Sequence, residues 1–258
     1  MNPALAIHWP MVAVLVRRAM NEILRVPGAA IPGVLAPTIF FLGLTAVFGE
    51  LTELGGFGTE DYQSFIIGVS LLQGSGFTGA ATGVNLARDI EAGWFDRLLA
   101  SPAPRPVILA GTVLSAALRA LIPAAVLLTV GFAIGVSWPG FDGLALAIIG
   151  VMGLATAAAC WGCALALRFR TQSAAPLMQA GMFVLVLCTT SYAPREHLQG
   201  WLHTVATINP VTQVLEMVRQ GFLGTVTWHE TWPGLVTIVA LVAVLAAFAL
   251  RGIRRMAD

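Results

Sequence analysis

The chain has 258 residues, of which 57% are hydrophobic and 10% charged, with mean hydropathy +0.83 and a formal net charge of +1. A soluble domain carries about a quarter charged residues, so this composition marks an integral membrane protein with several spans. The long continuous apolar runs are of helical type and do not show the short alternation of a membrane β-barrel. Its basic residues are 14 arginines and no lysine. That excludes a Walker A phosphate loop, a Schiff-base nucleophile and a Ser-Lys dyad within the chain. No basic stripe is available for nucleic acid. Cys160, Cys163 and Cys188 sit in apolar runs and read as small buried hydrophobes.

Residues 3–26 come first. Arg18, Glu22 and Arg25 fall at i, i+4 and i+7, with Met11, Leu15 and Ile23 elsewhere on the wheel. The pattern predicts an amphipathic helix lying in the membrane interface and ending at Pro27 and Gly28; a plain first span is the alternative, made costly by Arg17 and Arg18 in its middle. With about 20 apolar residues needed per crossing, six spans follow, near 30–49, 62–84, 107–134, 143–167, 174–193 and 233–250. The expected fold is an all-α membrane protein: an N-terminal interfacial helix over 1–28, then a six-helix transmembrane domain over 29–258. Eleven arginines fall on one side of that arrangement, Arg195 and Arg219 lie in loops on the other, and Arg119 lies within a span. The positive-inside rule then puts both termini in the cytosol.

Span two carries Ser75, Gly79 and Gly83 at four-residue spacing. Small residues at this spacing let helix backbones approach closely, either inside one subunit or along a substrate path. Gln73 is the best polar candidate for such a path. Ser75 and Arg119 are the further candidates; Arg119, inside span three, must snorkel, find a partner or face water, as it would on such a path. The last outer loop, 194–232, predicts two short helices. The first is a stripe of Leu198, Trp201, Leu202 and Val205. The second opens with Asn209 as N-cap and Pro210 at N1, and stops at Gly224. Glu216 and Arg219, three apart on it, are placed to pair. These helices either dip into the outer leaflet or form an ordered cap.

Between spans two and three lies the one long charged segment, 85–105. As a helix it gathers Ile90, Trp94, Phe95, Leu98 and Leu99 on one face, with Asp89, Gly93, Asp96 and Arg97 opposite. Glu91 falls within the apolar arc, which a merely solvated face does not explain. Pro102 and Pro104 stop the helix.

The run DIEAG at 89–93 followed by RLLASP at 97–102 resembles the E-x-G…R-L-L-x-x-P signature of ABC-2 type transporter permeases. It is most similar to the daunorubicin-resistance type of drug and lipid exporters. RTQSAAP at 170–176 resembles the short cytosolic turn before the fifth span. Pro194, Trp201, Leu202, the NPVT run at 209–212 and Arg219 resemble the outer-loop pattern. Together the matches run from 85 to 224. One departure is Gln172 and Ser173, where such permeases often have Asn and an acidic residue.

The resemblance implies the membrane half of an exporter in a bacterial plasma membrane. The first cytosolic loop would be a coupling helix docking on a separate ABC ATP-binding subunit, which binds ATP and Mg; this chain would hold no cofactor. By position, Asp89, Glu91, Gly93, Arg97 and Leu98 would do the docking. A second permease copy, identical or related, completes the assembly within membrane lipids. The cargo would be hydrophobic or amphipathic, with polysaccharide or glycolipid export by the same superfamily, or a non-transporting membrane subunit, as the alternatives; no charged ring or repeated pore motif supports a channel. An intramembrane enzyme has little support. His229 and Glu230 begin like a zinc-protease motif, but Pro233 stands where the second histidine belongs. Ser75 lacks the preceding glycine of a serine elbow. His8, His197, His203 and His229 are scattered and suggest no metal cluster.

Overall fold

The computed structural model describes residues 3–25, 31–54, 57, 59, 61–100 and 104–256, and every regular element among them is helical. The expected stop at Pro27 and Gly28, and Pro102, lie outside the described residues. In chain order the helices are α1 (Pro3–Arg25), α2 (Ile31–Phe48), α3 (Tyr62–Glu91), α4 (Trp94–Leu99), α5 (Arg105–Arg119) and α6 (Leu121–Ala133). They continue with α7 (Gly140–Phe169), α8 (Ala175–Leu187), α9 (Gly200–Ile208), α10 (Pro210–Phe222) and α11 (Trp228–Arg254).

Four units are long and apolar enough to cross a membrane: α3, α5 with α6, α7 and α11. Two further apolar helices, over Gly33–Phe48 and Gln172–Leu187, are shorter. Four of the six expected spans therefore stand at full length. The third is broken at Ala120, because Pro123 has no N–H to offer the Arg119 carbonyl.

The fifth falls short of its expected end. Helix α8 stops at Leu187, and 188–193 is irregular although Thr189, Thr190 and Ser191 are buried. Hydroxyl-bearing side chains there bond back to the helix end: Thr189 and Ser191 both donate to the Val186 carbonyl, at 2.7 and 2.8 Å. Such local bonds compete with helix continuation.

Helix α3 is the axle of the bundle, and its glycines set its neighbours. A Cβ at Gly79 would strike Ala155 and Ala158 of α7, and one at Gly83 would strike Gly162. Gly74 meets Gly33 of α2, Gly76 faces Met182 and Val186 of α8, and Gly68 faces Leu215 and Arg219 of α10. The small-residue stripe is thus covered by helices of the same chain.

Helix α10 is no surface element. Val211, Val214, Leu215, Val218 and Phe222 are all buried, and Gly150 and Gly143 of α7 receive Val218 and Gly221. Gly150 lies ten residues, or about 15 Å, along α7. The second outer-loop helix is therefore packed into the bundle, whereas on α9 Trp201 and Ile208 remain 70% and 75% exposed. Helix α1 lies along α5, with Leu15 seated on Gly111. Of its described side chains, Pro10, Ala13, Val14, Arg17, Arg18 and Asn21 form the exposed face.

Candidate functional site

Segment 85–105 is two helices, not one. Helix α3 runs through the expected end of span two to Glu91, then Ala92 and Gly93 turn the chain into α4. Gly93 has φ +68°, with nothing within 4 Å of the place a Cβ would take. Backbone conformation, not space, asks for glycine here. The break corrects the single-wheel reading and explains Glu91. It belongs to the end of α3, not to the apolar face of α4. That face is made by Phe95, 2% exposed, with Leu98 and Leu99 packed against the core, while Asp96 and Arg97 are exposed.

Two carboxylates tie this elbow to the rest of the chain. Arg18 of α1 donates through Nη2 to both oxygens of Asp89, at 3.0 and 3.1 Å, and its guanidinium lies 3.7 Å over the Trp94 ring. Glu91 accepts from the Gln172 backbone N–H at 2.9 Å on Oε1 and from Gln172 Nε2 at 2.7 Å on Oε2. Gln172 opens the 3-10 turn Gln172–Ala174 that leads into α8. One short elbow therefore touches α1, α3 and the start of α8.

Glu91 is exposed and lies seven residues, about 10 Å, beyond the expected span end at 84. Hydrogen bonds from the Gln172 side chain, then from Thr171 and the Gln172 amide, hold its carboxyl below its ordinary value of 4.5; partial desolvation opposes them. Bonds to the charged form favour that form.

Behind the elbow, Arg119 is 6% exposed at the break between α5 and α6. Its Nη2 donates to Thr82 Oγ1 at 2.6 Å and its Nε to the Ser115 carbonyl at 3.3 Å. Thr82, Thr112, Ser115 and Arg119 line the inner wall of a cavity whose mouth holds Arg18, Arg88, Asp89 and Trp94. Arg119 has found partners, at the inner end of a polar recess under the elbow.

Deeper in α3, Ser75 is 1% exposed and bonds back to the Leu72 carbonyl. Gln73 is 3% exposed, and neither its Nε2 nor its Oε1 has a hydrogen-bond partner. Gly74 on one side of it packs on α2 and Gly76 on the other packs on α8. Gln73 therefore points between those two helices.

The outer-loop residues hold structure together. Asn209 caps α10 as expected, its Oδ1 accepting from Val211 N–H at 3.0 Å. Its Nδ2 also donates to the carbonyls of Leu185 and Cys188, at 2.7 and 2.8 Å, where α8 stops. Pro210 takes the first helical position, and Gly224, with φ +81°, follows the helix end. Arg219 does not pair with Glu216. Its Nε donates to the Phe65 carbonyl at 3.0 Å, its Nη2 to the Thr190 carbonyl at 2.7 Å, and the guanidinium lies 3.7 Å over the Phe65 ring. The buried Thr190 carbonyl, in the irregular stretch, needs a donor that the helix ladder does not supply. Glu216 instead takes Arg195, at 3.0 Å, and burial raises its carboxyl against the pull of that arginine.

The elbow's partners, Arg18, Trp94 and Gln172, were not singled out for these roles by the sequence. Only Gln172 carried a signal, as a departure from the resembled pattern.

Residues 11–223 match the family model described as ABC-2 type transporter. The chain is 27% identical over 244 residues to a daunorubicin resistance ABC transporter permease protein of Streptomyces coeruleorubidus, covering 91% of this chain and 82% of that one. It is 26% identical over 229 residues to a putative transport permease of Cyanophora paradoxa, with coverages of 85% and 74%. A probable multidrug ABC transporter permease of Escherichia coli K12 is 27% identical over 164 residues, with coverages of 60% and 43%. With its family match spanning most of its length and its bundle of apolar helices, the chain is a multi-pass membrane protein that belongs to the ABC-2 type transporter family.

Proposed function

We propose that this chain is the membrane-spanning subunit of an ATP-driven exporter, and that the energy enters through α4. The observation that carries the reading is the elbow itself. Helix α4 shows Asp96 and Arg97 to the outside and turns on Gly93, and the α3 end beside it is tied by Asp89 to Arg18 of α1 and by Glu91 to Gln172 before α8. A push on α4 from a docked ATP-binding subunit reaches three helices at once. The partner holds ATP and Mg, and hydrolysis there biases inward and outward states of this subunit.

In this reading α2 and α8 complete six spans with the four long units, and α1 lies at the cytosolic interface of a bacterial plasma membrane. Both termini are cytosolic, and two permease copies assemble with two ATP-binding subunits. Asp89 and Glu91 then transmit, while Arg97 meets the partner. Leu98, packed inward, holds α4 to the bundle. The cargo is a hydrophobic or amphipathic molecule. Support for this comes from two relatives, a daunorubicin resistance protein and a probable multidrug permease. It passes the seam between α2 and α8, where Gln73 offers a buried amide with neither polar atom hydrogen-bonded.

Charge reversal at Arg97, followed by co-purification of the ATP-binding subunit and by export, tests the docking assignment. Arg97→Glu is expected to lose the bound subunit and at least about tenfold of export, with the fold intact, because a like charge at a docking site costs several kcal/mol. Unchanged co-purification and export would refute it.

A further inference from the structure

The arginines at the far ends of α7 and α11 are not spread over the surface. Arg168, Arg170, Arg251 and Arg255 line one groove between the two helices. The helices are brought together by Gly252, whose missing side chain is replaced by Leu167, and the groove opens beside that contact. Its floor and wall are hydrocarbon, chiefly Trp161, Leu245 and Phe248, the last 55% exposed. The empty space amounts to about 1370 Å³, part of it open to the surroundings.

No carboxylate lines this groove, and among the described residues none of the four guanidinium groups is in an ion pair. Arg251 lies 5.8 Å from the Phe248 ring centroid, on the apolar wall rather than away from it. Arg170 is held at φ +56°, the sole non-glycine residue with positive φ among the described residues. Left-handed backbone is strained for an L-residue. Basic residues in the last turn suit a helix C-terminus, and that accounts for arginine on each helix taken singly. It does not account for four of them converging on one apolar groove with no counter-charge among the described residues. A charge attached to something apolar would complete this groove.

We propose that this groove is a binding site for an anionic phospholipid. The phosphate is held by the arginine rim, and one acyl chain lies on Trp161, Leu245 and Phe248. Arginine matches phosphate geometry with paired N–H donors, and basic pockets between membrane helices take acidic headgroups. A free phosphate would leave the hydrocarbon wall uncovered; an uncharged lipid would leave the rim uncompensated. The site requires that the chain span a membrane. It does not require α4 to dock an ATP-binding subunit, so the two proposals stand or fall separately.

The test uses the purified full chain in detergent, without any partner. Phosphatidylglycerol, phosphatidylcholine and glycerol phosphate are each titrated, with binding read by native mass spectrometry. Phosphatidylglycerol alone is expected to bind stoichiometrically. The triple variant Arg168→Gln, Arg251→Gln, Arg255→Gln is expected to weaken it about tenfold or more, as removal of several interfacial arginines should. Arg254→Gln, whose residue lies outside the groove lining, serves as control and should bind as the parent does. Circular dichroism keeps loss of binding distinct from loss of fold. Should the triple variant misfold, the single Arg251→Gln and Arg255→Gln chains carry the comparison. Equal binding of phosphatidylcholine, equal binding of glycerol phosphate, or undiminished phosphatidylglycerol binding by the variants would overturn the proposal. So would variants that keep the lipid but lose an added ATP-binding subunit, since the groove would then belong to a protein.

Discussion

The two ends of α3 are held in opposite ways. At its Tyr62 end, the outer one in the proposed orientation, a guanidinium 5% exposed, Arg219, is enclosed against the Phe65 ring and donates to two backbone carbonyls. At its inner end the holding groups are side chains in contact with water, with Arg18 44% and Asp89 23% exposed. Buried bonds to main chain leave an orphaned carbonyl when broken, at about 1–3 kcal/mol each. Exposed ion pairs such as Arg18 with Asp89 contribute only about 0.2–1 kcal/mol. The outer end is thus built to stay, and the inner end can be re-formed. A lever needs both.

The contrast predicts how each end fails. Arg219→Leu is expected to cost the most. The Thr190 carbonyl sits in an irregular stretch and has no helical donor to fall back on, whereas Phe65 lies within α3. The loss is about 2 kcal/mol after the relieved burial of the charge is set against it. In a chain of this size that lowers the melting temperature by roughly 5 °C, read by thermal unfolding in detergent. A change under about 1 °C would remove the outer anchor from the account.

Between the two ends lies a residue that should behave in the reverse sense. Gln73 is buried with both amide atoms unpartnered, so Gln73→Leu is expected to raise stability by about 1 kcal/mol. Export should fall at the same time, if the amide is kept for cargo. Lower stability on substitution would show that the amide has structural partners after all, and intact export would take Gln73 off the path.

How much of this was legible in the sequence follows from the range of each contact. Composition and apolar runs marked a helical membrane protein because burial in lipid acts residue by residue. Asn209 with Pro210, and Gly224, were readable because caps are local. The break at Gly93 was missed, although the glycine itself was marked, because a helical wheel presumes continuity. The pairing of Glu216 with Arg219 was expected from three-residue spacing and lost to Arg195 and to carbonyls at positions 65 and 190. Arg18 with Asp89 and Glu91 with Gln172 lie 71 and 81 residues apart, beyond any local rule. Even so, two local oddities pointed at one of these contacts. Glu91 sat on the wrong face, and Gln172 departed from the resembled pattern. The structure joins them.

That joint is where the lever reading is most open to attack. The Glu91 carboxyl is held below its ordinary range by bonds to its charged form, so the latch is fully formed above the unfolded-state value and is lost only as pH falls through the lower folded value. Its contribution to coupling should accordingly be flat between about pH 6 and 8. The deciding measurement is a double-mutant cycle on Glu91→Gln and Gln172→Ala, reading ATP hydrolysis and export by the assembled transporter. Each single variant should uncouple hydrolysis from export with little change in melting temperature, and the double variant should be no worse than the more severe single one. Losses that add, or single variants that export normally, would contradict a coupling path through this elbow.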